Sequence, residues 1–226
     1  MRYLLIIIVV AIVISCNTKQ EKTSTTDSYY YSPDDTITDE LSFYTDEKNR
    51  DLLMLNDNAV KVLQNIDRII DVKMKDSLLN KALDDIHEAI QKDSNFYNAY
   101  LNKAALLRHL GKYEESVAAL QELLNRKSYP EAIFVLGITY EKLGNLQLAN
   151  EKYKEAFSEF NKRLKTPAAT VRDESNQQFL LIFIEGKEKA LKKINEEIKK
   201  NPGNTELLIN KSIIEEFNRQ EFIENF

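Results

Sequence analysis

The chain has 226 residues, a formal net charge of −5 at pH 7 and 30% charged residues. This length suits one compact domain, or an elongated repeat array preceded by a leader segment. The chain contains only 5 glycines, 4 prolines and one cysteine, so tight turns are few and no intrachain disulfide can form. The composition favours a mostly helical protein. An acidic chain lacks the basic face that phosphate contacts require, so nucleic acid is not the expected partner.

The first sixteen residues combine a positive charge, an apolar run and the chain's cysteine. Arg2 supplies a positive charge, residues 4–14 form an unbroken apolar run, and Ser15 stands before Cys16. The run is shorter than the roughly 20 residues of a membrane-spanning helix. The segment resembles the lipobox of bacterial lipoproteins, in which the signal peptide is removed before a cysteine that then carries lipid. The resemblance implies a signal peptide over 1–15, lipidation of Cys16, and attachment to a membrane of the cell envelope on its periplasmic or surface side. An uncleaved signal anchor is the alternative.

The next segment, residues 16–45, predicts a flexible linker behind the lipidated Cys16. It is dense in Ser, Thr and Asp, contains Pro33, and shows no helical period. About thirty flexible residues reach roughly 30 Å, which would hold a folded domain clear of the lipid surface. Three consecutive tyrosines, 29–31, indicate either a segment that rests on the domain or a short docking motif.

A repeat of 33 residues organises the middle of the chain. Seven positions have a counterpart of related size at this offset: Tyr100/Ile133, Ala104/Gly137, Leu107/Tyr140, Gly111/Gly144, Ser116/Ala149, Leu120/Tyr153 and Leu123/Ala156. Small residues at Ala104 and Gly137 would let neighbouring helices approach closely. Gly111 and Gly144 stand where a first helix would end with a left-handed residue.

The segment 132–156 resembles the tetratricopeptide repeat, a helix–turn–helix unit of about 34 residues. Its Leu-Gly-x-x-Tyr core lies at 136–140, although the family's tryptophan is absent. Weaker copies flank it at 82–95 and 190–204. The resemblance implies an all-α fold: a right-handed superhelical array of antiparallel helix pairs, with about four repeats plus a terminal helix, over residues 46–226.

The sequence contains no pattern typical of catalysis. Neither His87 nor His109 has a second histidine at the helical spacing of a zinc site, and the glycines are too scattered for a phosphate loop. Lipidation would leave Cys16 without a thiol. We therefore expect neither enzyme activity nor a cofactor, metal ion or small-molecule substrate.

In the tetratricopeptide family, the first helices of the repeats line a concave groove that holds a peptide or a partner helix. The resemblance therefore implies a protein or peptide partner that contacts the exposed face of these helices. The candidate contact residues are Leu101, Asn102, Arg108, Phe134, Ile138, Glu141, Asn176, Phe179, Ile182 and Asn210. This set is an apolar surface with polar edges, as at interaction surfaces. In some long superhelices of this kind, asparagines such as Asn102, Asn176 and Asn210 hydrogen bond a peptide backbone.

Two features near the end of the chain leave alternatives open. The run 179–184 is apolar on every side, which indicates either a helix buried within the fold or one covered by a partner. The terminal helix is expected from Thr205 to about Asn218, with too few residues after it for a full partner helix.

The sequence thus predicts a lipid-anchored envelope protein that binds a protein partner as a scaffold or assembly factor. A tethered inhibitor of the immunity type, which neutralises a toxin, is an alternative. A regulatory subunit of an envelope enzyme is another, and the sequence does not distinguish among the three.

Overall fold

The computed structural model describes residues 47–167 and 169–226, and every regular element in these ranges is helical. In chain order the helices are α1 (Glu47–Asn65), α2 (Val72–Lys92), α3 (Tyr97–His109), α4 (Tyr113–Leu124), α5 (Pro130–Lys142), α6 (Leu146–Arg163), α7 (Val171–Glu185), α8 (Lys187–Lys200), α9 (Thr205–Glu216) and α10 (Arg219–Asn225). A short 3-10 helix, Ile66–Arg68, follows α1. The predicted all-α class is confirmed. The signal-peptide, Cys16 and linker predictions lie outside the described residues.

The described helices belong to two compact units, over 47–123 and 124–226. In the first unit, α1 packs on α2 and α2 on α3; in the second, α5 packs on α6, α6 on α7, α7 on α8 and α8 on α9. Helices two apart also touch, since α1 contacts α3 and α7 contacts α9. Most helices of each unit therefore pack against a sequence neighbour. Within the described ranges, no helix combines the length and apolar character needed to cross a membrane.

The predicted helix ends are confirmed at two glycines. Gly111 and Gly144 have φ angles of 72° and 78°, a left-handed backbone that glycine adopts without strain. Gly144 N donates to the carbonyl of Glu141 at 2.9 Å, and Asn145 N donates to that of Tyr140 at 2.8 Å. These two bonds satisfy carbonyls that the end of α5 leaves without an intrahelical partner.

The small residues of the repeat lie where helices approach closely. A Cβ atom added at Gly137 would stand 2.7 Å from the Tyr153 ring and 3.3 Å from the carbonyl oxygen of Ala149, so α5 and α6 meet at this glycine. In the first unit, Ser116 Oγ donates to the carbonyl of Ala104 at 3.0 Å and joins α4 to α3. Close packing at Ala104 and Gly137 is therefore confirmed.

An ion network joins the first three helices of the second unit. Thr170 and Asp173 form a capping box at the start of α7. Asp173 and Glu131 both accept hydrogen bonds from Arg163, and the Nη1–Oε2 distance to Glu131 is 3.1 Å. The Arg163 guanidinium also lies over the Phe160 ring, 5.2 Å from its centroid. One side chain of α6 thus fixes α5 and α7 together.

Replacing Gly137 by alanine tests the close approach of α5 and α6. Alanine favours a helix over glycine by about 1 kcal/mol, yet the added methyl would displace the Tyr153 ring. We expect the overpacking to win, with a net loss of about 1–2 kcal/mol in the free energy of unfolding, measured by urea titration. Gly203→Ala is the control, because nothing lies within 4 Å of its added Cβ. A Gly137→Ala protein as stable as the parent would contradict the packing.

Candidate protein-binding groove

Most of the ten predicted contact residues are buried in helix packing. Eight of them are at most 8% exposed: Leu101, Asn102 and Arg108 in α3, Phe134 and Ile138 in α5, and Asn176, Phe179 and Ile182 in α7. Glu141 and Asn210 are half-buried. The structure therefore differs from the expected exposed face. A partner would reach these side chains only after something that now covers them had moved away.

In the first unit, the predicted residues serve the packing of α3. Asn102 Nδ2 donates to Asn56 Oδ1 of α1 at 2.7 Å, and the two side chains are 0% and 1% exposed. Burial lowers the pKa of the Arg108 guanidinium to about 9, which still leaves it protonated at pH 7. Leu101, the residue before Asn102, is also buried. Asn102 thus meets another asparagine instead of a peptide backbone.

The second unit contains a cluster of rings that we call the aromatic groove: Phe134 of α5, Tyr153 of α6, and Phe179 and Phe183 of α7. Phe179 and Phe183 are four residues apart, so they share one face of α7. The Phe134 ring centroid lies 5.1 Å from that of Phe183 and 6.3 Å from that of Phe179, both edge to face. Tyr153 lies 4.9 Å from Phe183. Such arrangements are favoured by the charge distribution of aromatic rings.

The chain's own end covers the aromatic groove. Residues 217–226, which we call the C-terminal segment, include α10, and this helix packs against α5. The Phe217 ring lies 4.8 Å from Phe179, and the Phe222 ring lies 6.1 Å from Phe183. Phe217 and Phe222 are only 7% and 8% exposed. Phe179, one of the predicted contact residues, therefore packs against a segment of the same chain.

The carboxylate of Glu141, which is mostly withdrawn from water, fixes the position of this segment. The Glu141 side chain is 11% exposed and accepts hydrogen bonds from Arg219 Nε at 2.9 Å and Nη2 at 2.7 Å. This two-point geometry is the strong form of an arginine–carboxylate contact. The Tyr153 hydroxyl also donates to Glu141, at 2.6 Å, and burial followed by this bond raises the Tyr153 pKa. The Arg219 guanidinium lies over the Phe183 ring, 5.0 Å from its centroid.

Two lysines bind main-chain carbonyls of the covering region. Lys142 Nζ donates to the carbonyls of Ile223 and Glu224, at 2.9 and 2.6 Å, in the last turn of α10. Lys187 Nζ donates to the carbonyls of Glu215 and Phe217, at 2.5 and 3.1 Å. A cation at a helix C-terminus satisfies carbonyls that lack intrahelical partners and opposes the negative end of the helix dipole.

The segment was missed by the sequence analysis, which expected one helix from Thr205 to about Asn218. Helix α9 instead ends at Glu216, and α10 begins after Asn218, whose side chain accepts a hydrogen bond from Glu221 N at 3.2 Å. Phe217 and Phe222 flank this start, with ring centroids 5.4 Å apart, as in a hydrophobic staple. The pattern Phe-Asn-x-x-Glu-Phe was the available signal.

The remaining predicted asparagines have different environments. Asn210 Nδ2 donates to Ser175 Oγ at 3.0 Å and to Gln178 Oε1 at 2.9 Å, so it links α9 to α7. Asn176 is 3% exposed, and its Nδ2 has no hydrogen-bond partner among the described residues. Because Asn176 precedes Phe179 by three residues, it lies on the groove side of α7. It is a buried donor beside the aromatic groove.

The groove has recognition chemistry: rings for apolar side chains, a carboxylate for a cation and a lysine for helix carbonyls. In the described part of the chain, no cluster of three or more His, Cys, Asp or Glu residues is placed to hold a metal ion. No protein-family model matches the chain, and a search of curated proteins finds no significant match. The function of this chain must therefore be inferred from the geometry of the groove itself.

A double-mutant cycle at Glu141 and Arg219 tests the charged contact. We expect each single alanine substitution to lower the free energy of unfolding by about 1–3 kcal/mol, because it leaves a half-buried charge unpaired. The coupling between them should be about 1–2 kcal/mol.

The control pair is Lys162 and Glu159, whose nitrogen and oxygen are 2.5 Å apart but whose side chains are 69% and 24% exposed. Its coupling should stay below about 0.5 kcal/mol. Additive effects at Glu141 and Arg219 would contradict a structural role for that contact. Urea titration followed by circular dichroism supplies both cycles.

Proposed function

We propose that this protein is a lipid-anchored, non-catalytic binding module of the bacterial cell envelope that holds a protein partner in the aromatic groove. The observation that carries the proposal is that the groove, with Glu141 beside its rings, already holds a peptide segment. Buried aromatic and arginine contacts are the groups that dominate binding energy at protein interfaces. A scaffold or assembly factor needs such a surface and no reacting group.

The same proposal includes a tetratricopeptide-like array over 46–226, with about four helix pairs and a terminal helix in a right-handed superhelix. Support comes from the 33-residue spacing of Ala104 and Gly137, both of which lie at close helix contacts. The left-handed glycines Gly111 and Gly144 recur at the same spacing. Packing of consecutive helices on one another, as seen for α5 on α6 and for α7 on α8, is what such arrays require.

The proposed anchor is Cys16, after removal of residues 1–15. Its support is the apolar run that ends at Ser15-Cys16 and the polar linker that follows. Several acyl chains on one residue make membrane attachment stable, whereas a single chain is marginal.

Replacing Cys16 by serine tests the anchor. We expect the parent protein in bacterial cells to fractionate with membranes and to carry acyl mass on its first mature residue, measured by mass spectrometry. The Cys16→Ser protein should lose both the added mass and the stable attachment. A Cys16→Ser protein that stays in the membrane fraction, with residues 1–15 still present, would support an uncleaved signal anchor instead.

Capture from envelope extract tests the groove. The full chain is the bait, and two charge reversals are compared: Glu141→Arg in the groove and Glu151→Arg, an exposed residue of α6. We expect Glu141→Arg to abolish capture of the main partner, because its new cation repels the cation that Glu141 would bind. Glu151→Arg should capture as the parent does.

Equal capture by both folded reversals would refute binding in the groove, and circular dichroism checks that each is folded. The identity of the captured protein then separates the alternatives, because a toxin would indicate an inhibitor and an envelope enzyme would indicate a regulatory subunit.

A further inference from the structure

We infer that the C-terminal segment is a replaceable occupant of the aromatic groove, and that the partner presents the same groups: two aromatic side chains five residues apart with an arginine between them. In this chain the pattern is Phe217-x-Arg219-x-x-Phe222. The inference rests on the proposed function and extends it by naming the chemistry of the partner and the means by which the groove is kept closed.

Three side chains make the contacts that an occupant has to reproduce. Phe217 lies on Phe179 with ring centroids 4.8 Å apart, and Phe222 lies 6.1 Å from Phe183. Arg219 stands between them in sequence and donates two hydrogen bonds to Glu141. The required spacing follows from one short helix start, in which the residue before the cap meets the fourth helical residue.

Charge and geometry together favour an arginine at this position of the occupant. An occupant without a cation would leave the carboxylate of Glu141, which is 11% exposed, buried without a counter-ion. Removing one partner from a buried ion pair is strongly unfavourable. Lysine could supply charge but not the planar two-point contact that Arg219 makes with Glu141. The hydrogen bonds of Lys142 to Ile223 and Glu224 go to main-chain carbonyls, so these two bonds recognise a helix end and not a particular sequence.

The C-terminal segment is short and loosely connected enough to dissociate from the aromatic groove. Helix α10 has only 7 residues, whereas an isolated helix needs about 12–15 residues to form in water. Two residues, Phe217 and Asn218, join it to α9, so α9 does not have to unfold when the segment moves away. A tether this short gives the segment an effective concentration on the order of millimolar at the groove. A partner at micromolar concentration must therefore bind much more tightly, or the segment must be weakened.

The side-chain amide of Asn176 would let a partner bind more tightly than the C-terminal segment does. Asn176 is buried on the groove side of α7, and its amide donor has no partner in the described part of the chain. An occupant that offers a carbonyl oxygen there would gain a hydrogen bond that the C-terminal segment does not make. The C-terminal segment would therefore occupy the groove until a partner that binds more tightly, in part through Asn176, displaces it.

The test uses the full chain and a fluorescein-labelled synthetic peptide of residues 215–226, with binding measured by fluorescence anisotropy. Three proteins are compared: the parent, Arg219→Glu, and Arg172→Glu, whose side chain is exposed on α7. We expect Arg219→Glu to bind the peptide at least about tenfold more tightly than the parent, because its own segment no longer holds Glu141. Arg172→Glu should match the parent.

The peptide's sequence is tested on the Arg219→Glu protein. Peptides that carry Arg219→Glu or Phe222→Ala should bind at least about tenfold more weakly than the unchanged peptide. Equal affinity of the parent and Arg219→Glu proteins, or equal affinity for all three peptides, would overturn the inference. A dimer that forms only when Arg219 is present would assign the groove to a second copy of the chain and would also overturn it.

Hydrogen exchange in the parent protein gives a readout that needs no variant. Excess unlabelled peptide should speed exchange of the amides of residues 219–225, because these leave the groove when the peptide enters; unchanged exchange at saturating peptide would overturn the inference. The two proposals can fail separately. If the parent captures an envelope protein through Glu141 while the peptide never binds, only this inference falls; if neither event occurs, both fall.

Discussion

A carboxylate that is withdrawn from water must meet a cation, and the second unit is arranged around this requirement at Glu141. Arg219 supplies the cation and donates two hydrogen bonds to Glu141, and the Tyr153 hydroxyl donates a third. The guanidinium can stay there only if the rings on either side of it in sequence, Phe217 and Phe222, are also accommodated. The polar contact and the aromatic contacts therefore stabilise one another, and together they draw the end of the chain onto α5 and α7.

Stability and recognition use the same groups in this unit. Every residue of the run 179–183 in α7 is at most 8% exposed, so this run is buried within the unit. Part of that cover comes from helices α6, α8 and α9, and part comes from the short C-terminal segment. This apolar surface must be covered for stability, but part of its cover is a helix of only 7 residues on a short connection. Such a weakly held segment can be displaced by another peptide.

Local patterns in the sequence predicted much of the fold. The helical class, the left-handed Gly111 and Gly144 and the close approach at Gly137 each depend on residues nearby in the chain. The cover over Phe134 and Phe179 was not predicted, because it depends on Glu141 and Arg219, which are 78 residues apart. Helical periodicity tells which residues share a face, but it does not tell which distant segment lies on that face.

The most direct measurement is the nuclear Overhauser effect between the rings of Phe222 and Phe183 in the full chain, with phenylalanine selectively labelled. The account predicts cross-peaks between these two rings, and their loss in the Arg219→Glu protein while the α7 resonances keep their helical shifts. A Phe222 ring with random-coil shifts and no cross-peak to Phe183 in the parent protein would contradict the claim that the chain's own end occupies the aromatic groove.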